Sequence, residues 1–151
     1  MREILFRART VSESEYMDDG EWIEGFYTCF NGDEHRIYTG YSETDCGDHY
    51  PDWFNVIPET VGQFTGLTDK NGKKIFEGDI GRYKQTDGAK ENGKPIICTG
   101  VVLYNEKTAS FAVESKDEKG RKYFDYFPIK DFEIIGNIHD NPELLKGDNN
   151  E

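Results

Sequence analysis

The sequence predicts a mainly β protein, with a small N-terminal antiparallel sheet, a C-terminal barrel-like module and a short terminal helical turn. Three observations predict this class. Apolar and polar residues alternate over short runs, which is the period of a half-buried strand. Turn-forming pairs such as Asn-Gly separate these runs. Aromatic residues make up 14% of the chain while all hydrophobic residues reach only 35%, so large rings are expected to fill much of the core.

The N-terminal subdomain is predicted to cover residues 1–66. A first strand is expected within residues 2–8 and a second at residues 22–29, and the two are expected to pair as a hairpin. Asn31, Gly32 and Asp33 predict a turn, and residues 36–39 a short strand. Residues 40–52 contain two glycines and no apolar period, so they are predicted to be a polar loop.

Between residues 61 and 80, four glycines separate short apolar runs. Asn71 and Gly72 are expected to supply the two positive-φ residues of a tight turn, because these residue types tolerate that backbone conformation best. Gly78 and Asp79 predict a second reversal of the chain. Glu77 and Asp79 are expected to cap that reversal rather than to act as an acid and a base.

The C-terminal subdomain is predicted to cover residues 67–146 and to be followed by a polar tail at residues 147–151. Its strands are expected at residues 79–83, 96–104, 110–114, 122–127 and 132–138. Their order is a strand, a long loop, a three-stranded meander, a short turn and a last strand, which is similar to a Src-homology-3-like barrel. Such barrels host many unrelated activities. Asn141 and Pro142 then predict a single helical turn.

Three blocks of sequence carry a resemblance to a known family. They are residues 1–8 together with 22–27, residues 58–79 with the run Asp-Lys-Asn-Gly-Lys-Lys-Ile-Phe-Glu-Gly-Asp, and residues 134–145. In this order the blocks resemble the YopX family of phage and prophage proteins. The resemblance implies a small β-rich protein encoded on mobile genetic elements of bacteria, with no activity that can be assigned to a residue. The intervening residues 31–55 and 84–95 are expected to be variable loops.

The charge is concentrated in the first half of the chain. Residues 1–66 carry 4 Lys and Arg against 14 Asp and Glu, a net charge of −10, and residues 67–151 carry 14 against 16, which gives the total of −12. An acidic surface repels phosphate backbones, so direct nucleic-acid binding is not expected.

No catalytic, cofactor-binding or metal site is predicted. Cys46 and His49 form a Cys-x-x-His spacing that would supply half of a zinc site, but the other half would have to come from the distant Cys29 or Cys98. A polar loop that happens to hold both residues is the favoured interpretation. The three cysteines are an odd number at unrelated spacings, which favours reduced thiols.

Three tyrosines near strand ends are the candidate binding residues: Tyr83, Tyr104 and Tyr126. Two interpretations apply to them. Most aromatic residues of this half are expected to fill the core, because aliphatic residues are few. Alternatively, these three form an exposed platform for a partner, since tyrosine is amphipathic and enriched at interfaces.

The sequence therefore predicts a non-catalytic protein-interaction module that docks a host or phage protein or assembles with its own copies. The alternative is an acidic mimic of nucleic acid that blocks a host DNA- or RNA-binding enzyme. No signal-peptide or membrane-spanning pattern is present, so a cytoplasmic location in a bacterial host is expected. Self-association is expected because the strand within residues 2–8 is apolar on both faces, so it must be buried or meet a second chain.

Overall fold

A computed structural model of the protein describes residues 1–11, 20–85 and 90–146. The chain divides into two compact units, Met1–Phe64 and Thr65–Glu151. The predicted polar tail at residues 147–151 lies outside the described residues. None of the helical segments in the described ranges has the length and apolar character needed to cross a membrane.

The described residues form thirteen strands and no α-helix. The strands are β1 (Phe6–Arg9), β2 (Trp22–Phe30), β3 (Glu34–Glu43), β4 (His49–Asn55), β5 (Gly62–Thr68), β6 (Lys74–Phe76), β7 (Asp79–Lys84), β8 (Lys90–Glu91), β9 (Lys94–Pro95), β10 (Ile97–Asn105), β11 (Ser110–Asp117), β12 (Lys122–Tyr126) and β13 (Glu133–Asn137). Short 3₁₀ turns lie at Pro58–Thr60 and Pro142–Leu145, and the second confirms the predicted terminal helical turn.

The strands form two main antiparallel sheets, which confirms the mainly β prediction. One has the order β4-β3-β2-β1-β5-β6, and the other has the order β12-β11-β10-β7-β13. Within the described ranges, no pairing joins the edge strands β12 and β13, so the second sheet is open and the predicted barrel is not confirmed. The short β8 and β9 pair with each other inside the predicted loop at residues 84–95.

The predicted hairpin of the first two strands is confirmed, since β1 pairs with β2 from Phe6 opposite Gly25 to Arg9 opposite Trp22. β1 also pairs with β5 on its other side. β1 is therefore neither a sheet edge nor buried under a barrel. The expectation of self-association was based on an unpaired first strand, and the structure does not support that basis.

The predicted polar loop at residues 40–52 is wrong, because β3 and β4 form a long hairpin across it. The pairing register shifts between Tyr38 and Gly40, so Thr39 is an extra residue on its strand. Such a bulge breaks the two-residue alternation that reveals a strand in a sequence. The aromatic residues on either side of the bulge therefore do not follow a single two-residue period, and the sequence pattern does not predict a continuous strand there.

The C-terminal unit has its own hydrophobic core, and the five strands predicted for it are confirmed to within about three residues at their ends. The buried core residues are Ile75, Tyr83, Cys98, Val102, Val113, Ile129 and Phe132. Gly81 lies directly opposite Gly100 where β7 pairs with β10. A Cβ atom on Gly81 would lie 1.9 Å from Cζ of Phe132, so the missing side chain makes room for the phenyl ring.

In the loop between β5 and β6, only one of the two residues predicted to have a positive φ has one, and Asp69 closes the turn. Gly72 has a φ of +82°, whereas Asn71 is not among the described residues with positive φ. Asp69 closes the loop instead: its N–H donates to the carbonyl of Lys73 at 2.7 Å, and its own carbonyl accepts from the N–H of Gly72 at 3.0 Å. Its carboxylate accepts from the N–H groups of Asn71 and Lys73, each at 2.9 Å, and from that of Ile134 at 3.0 Å.

Replacing Gly72 with valine is expected to lower the free energy of unfolding by about 1 to 3 kcal/mol. A Cβ atom at this position would have nothing within 4 Å, so the cost comes from the left-handed backbone alone. Gly72→Asn is the matched control and is expected to cost less, because asparagine tolerates positive φ. Thermal unfolding of both variants checks this, and equal melting of Gly72→Val and the parent would disprove the turn assignment.

Candidate functional site

The three candidate tyrosines occupy different environments. Tyr83 is 2% exposed, and its hydroxyl bonds Ser115 Oγ at 2.8 Å and Asp125 Oδ2 at 2.5 Å. Burial, reinforced by the hydrogen bond to Asp125, raises the pKa of the Tyr83 phenol. Tyr104 and Tyr126 are 41% and 47% exposed. Tyr83 therefore lies in the core, as the first interpretation expects, whereas Tyr104 and Tyr126 lie at the surface.

The strand register also separates the two exposed tyrosines. Tyr104 lies on the face of β10 that includes Cys98, which pairs with Tyr83. Tyr126 pairs with Ala112, which in turn pairs with Leu103 on the opposite face of β10. Since neighbouring residues of a strand point to opposite faces, Tyr104 and Tyr126 lie on different sides of the sheet. The structure does not bring the three tyrosines together as one platform.

Around Tyr83 the structure places a polar cluster that sequence reasoning did not identify. Gln85 Nε2 donates to Asp125 Oδ1 at 3.3 Å, and Cys98 Sγ donates to Gln85 Oε1 at 3.4 Å. Burial raises the pKa of the Cys98 thiol to about 11. Because a thiol is a nucleophile only as the thiolate, Cys98 is not activated at neutral pH. The cluster is a hydrogen-bonded part of the core.

The other two cysteines lie at the surface of the N-terminal unit. Cys46 lies in the turn between β3 and β4, and His49 begins β4. Cys29 lies directly opposite His35 in the β2–β3 hairpin, with Cys29 Sγ 4.0 Å from His35 Nε2, the outer limit for a thiol hydrogen bond. His35 Nδ1 shares a 2.6 Å hydrogen bond with the hydroxyl of Tyr27. Within the described ranges, no group of three or more His, Cys, Asp or Glu residues is arranged to hold a metal ion.

Four of the five exposed aromatic side chains in the described part of the N-terminal unit, Phe26, Phe30, Tyr41 and Trp53, share one face of its sheet, whereas Tyr50 lies on the other face. Ile37 is fully buried in the core with Ala8 and Val56. The neighbouring Tyr38 therefore lies on the other face, and it pairs with Phe26 on one side and Trp53 on the other. We call this surface the aromatic face, and it consists of Phe26, Phe30, Arg36, Tyr38, Tyr41 and Trp53.

The bulge in β3 adds Tyr41 to the aromatic face. In strict alternation from Tyr38, Tyr41 would point to the core side of the sheet. The extra residue Thr39 shifts the register, so that Tyr41 lies opposite Pro51 and on the same face as Trp53. Tyr41 is 79% exposed, and Phe26 is 68% exposed. The bulge that interrupts the strand pattern in the sequence is therefore also the feature that places Tyr41 on the aromatic face.

Arg36 lies in the middle of the aromatic face. Its guanidinium carbon is 4.0 Å from the ring centroid of Trp53 and 5.5 Å from that of Phe30. One terminal nitrogen donates to Glu34 Oε2 at 2.9 Å. Among the described residues, Arg36 Nε and the hydroxyl of Thr28, which lies directly opposite, are buried without a hydrogen-bond partner.

The same side of the sheet continues into β1 with more basic and aromatic side chains. The guanidinium groups of Arg7 and Arg9 lie 5.0 Å and 5.3 Å from the ring centroid of Trp22. With Arg36, three of the four basic residues in positions 1–66 lie on this side, and no lysine precedes Lys70. This side therefore combines aromatic side chains with arginine and has no lysine, and Trp, Tyr, Phe and Arg are the residue types enriched at protein–protein interfaces.

A solved structure has a fold similar to that of this chain. The structure is similar to one described as "Crystal structure of protein EF1440 from Enterococcus faecalis", with a TM-score of 0.52 and 23% sequence identity, covering 96% of this chain and 99% of that chain. No curated protein sequence matches the chain. The family model described as YopX protein matches residues 6–146, and so the chain belongs to the YopX family.

Proposed function

We propose that this protein is a non-catalytic interaction module that docks a host or phage protein through the aromatic face. The observation that carries the proposal is the exposure of Phe26 and Tyr41 around a central arginine. Burying large aromatic rings and arginine supplies most of the energy of typical protein interfaces. In this proposal the protein acts in the cytoplasm of a bacterial host as the product of a phage or prophage.

Two features favour binding over catalysis. The buried thiol of Cys98 is protonated at neutral pH. The hydroxyl of Tyr83 is engaged by Ser115 and Asp125, and its raised pKa disfavours the phenolate. Neither group is prepared to act as a nucleophile or base.

The acidic mimic of nucleic acid and self-assembly are weaker proposals. A mimic needs a surface of carboxylates, yet three of the four basic residues in positions 1–66 lie on the exposed side of this sheet. Self-assembly through the sheet edge is disfavoured by Pro51 in the edge strand β4, because proline lacks the backbone N–H that pairing requires.

A capture experiment with matched surface variants tests the proposal. The double variant Phe26→Ser and Tyr41→Ser is expected to lose at least 90% of a specifically captured host or phage protein, a tenfold loss that corresponds to about 1.4 kcal/mol of binding energy. The control is Phe124→Ser with Tyr126→Ser, which removes the same two ring types, also exposed although to a smaller extent, from the C-terminal sheet. Equal capture by the first variant and the parent, with both folded by circular dichroism, would reject the aromatic face as the docking site.

A further inference from the structure

We infer that the segment seated on the aromatic face is an extended stretch of a partner protein with an apolar centre and basic residues at both ends. This inference rests on the proposed function and names the chemistry of its partner. Three features of the N-terminal unit support it: the length of β3, the acidic turns at its two ends, and the exposed aromatic rings between them.

β3 spans Glu34–Glu43 and runs beneath the aromatic face. Ten residues of strand extend over about 33 Å, which matches an extended segment of about ten residues. The turn at the start of β3 carries the exposed Asp33 and Glu34, and the turn at its end carries the exposed Glu43, Asp45 and Asp48. A segment that lies along β3 therefore meets carboxylates at both ends and aromatic rings between them.

The centre of the face supplies exposed rings for the apolar part of the segment, since Phe26 is 68% and Tyr41 is 79% exposed. Arg36 Nε and the hydroxyl of Thr28 are buried beneath the surface, so the segment contacts the rings rather than these two atoms. The charge of Arg36 is already matched by Glu34 at 2.9 Å, so this site does not require an acidic group from the partner. An extended segment therefore places its apolar side chains against the exposed rings.

The charge pattern disfavours the other occupants. A single-stranded nucleic acid stacks on aromatic rings, but its phosphates would lie against the acidic turns at both ends of β3. A second copy of this chain would bring the same acidic turns to those positions, because residues 1–66 carry a net charge of −10, with 4 Lys and Arg against 14 Asp and Glu. The basic residues at the two ends of a peptide would instead be attracted by the carboxylates of the acidic turns.

Intrinsic fluorescence of the full-length protein tests the inference directly. Both tryptophans, Trp22 and Trp53, lie on the side of the sheet that carries the aromatic face. The probes are a synthetic peptide of about ten residues with lysines flanking an apolar, proline-containing centre, the same peptide with glutamates in place of lysines, and a single-stranded oligothymidine. The lysine-flanked peptide is expected to bind at least tenfold more tightly than the other two at low salt, and this preference is expected to shrink as salt screens the charges.

Charge variants then test whether the acidic turns cause the preference. Asp45→Asn with Asp48→Asn is expected to reduce the preference for lysine flanks to about threefold or less. The control is Glu106→Gln with Glu118→Gln, which removes two exposed carboxylates from the C-terminal unit and is expected to leave the preference unchanged. The serine variants of Phe26 and Tyr41 are expected to abolish binding of the peptide.

Equal or tighter binding of the glutamate-flanked peptide or the oligothymidine would overturn the inference. An unchanged preference in the Asp45 and Asp48 variant would also overturn it. If capture of a partner depends on the aromatic face but no peptide binds with a preference for basic flanks, the inference fails and the proposed function stands. If capture does not depend on the aromatic face, the proposed function itself fails.

Discussion

Replacing Asp69 with alanine is expected to lower the free energy of unfolding by about 3 kcal/mol or more, since hydrogen bonds to a charged group contribute about 1.5 to 3 kcal/mol each. The carboxylate is buried and accepts from three backbone N–H groups, those of Asn71, Lys73 and Ile134. Alanine leaves these three donors without that acceptor. Urea unfolding followed by circular dichroism measures the loss.

Two variants make this result interpretable. Asp69→Asn keeps one acceptor oxygen and is expected to lose less stability than Asp69→Ala. Glu106→Ala removes an exposed carboxylate from a turn and is expected to change the free energy of unfolding by no more than about 0.5 kcal/mol. If Asp69→Ala unfolds at the same urea concentration as Glu106→Ala, the carboxylate does not hold this loop together.

The pH dependence of stability provides an independent check. Burial acts to raise the pKa of Asp69, but the hydrogen bonds from Ile134, Lys73 and Asn71 outweigh it, so the pKa lies below its ordinary value of 3.8. A carboxyl with a lowered pKa in the folded state contributes stability that is fully present above its unfolded value. That contribution disappears as the pH falls below 3.8 and through the folded pKa. Asp69→Asn is therefore expected to lose less stability than the parent over this acidic range.

Replacing Gly81 with alanine is expected to lower the free energy of unfolding by about 3 kcal/mol, at the upper end of the range for overpacked cores. The new Cβ atom would lie 1.9 Å from Cζ and 2.4 Å from Cε2 of Phe132. Phe132 has little room to move, because it is 2% exposed and packs against Phe127 and Tyr83 with ring centroids 5.3 Å and 6.0 Å away. Thermal unfolding of the purified variant measures the effect.

A double variant and a glycine control separate this clash from a general cost of altering a strand. Gly81→Ala combined with Phe132→Leu is expected to be more stable than the two separate losses predict, because leucine lacks the far end of the ring. Gly40→Ala is expected to be close to neutral, since Gly40 has an ordinary φ and its Cβ atom would meet nothing within 4 Å. Additive losses in the double variant would argue against a direct contact between Gly81 and Phe132.

The sequence predicted the C-terminal strands well because their alternation is regular. In β10 the buried residues Cys98 and Val102 alternate with more exposed neighbours, and such a pattern reads as a strand without any structural information. The environment of Tyr83 was harder to predict. Ile80 and Tyr83 lie on opposite faces of β7 and are both buried, so the pattern does not tell which side of that strand is covered.

The aromatic face could not be predicted for a different reason. Tyr38 and Tyr41 are separated by an odd number of positions, and only the extra residue Thr39 places both on one face. A sequence pattern does not reveal a bulge, since no residue type is required there. The carboxylate of Asp69 was missed as well, because its contact with Ile134 joins residues 65 positions apart.

This long-range contact has a consequence for how the chain folds during synthesis. Asp69 leaves the ribosome well before Ile134, since 65 positions separate them. Until the last strand emerges, the Asp69 carboxylate cannot accept the hydrogen bond from Ile134. The hairpins β2–β3 and β3–β4, by contrast, join residues close together in sequence and need no later part of the chain. A nascent chain stopped before residue 134 is therefore expected to contain folded N-terminal hairpins and an incomplete C-terminal unit. Chaperones and proteases are expected to act on this incomplete unit mainly during late translation.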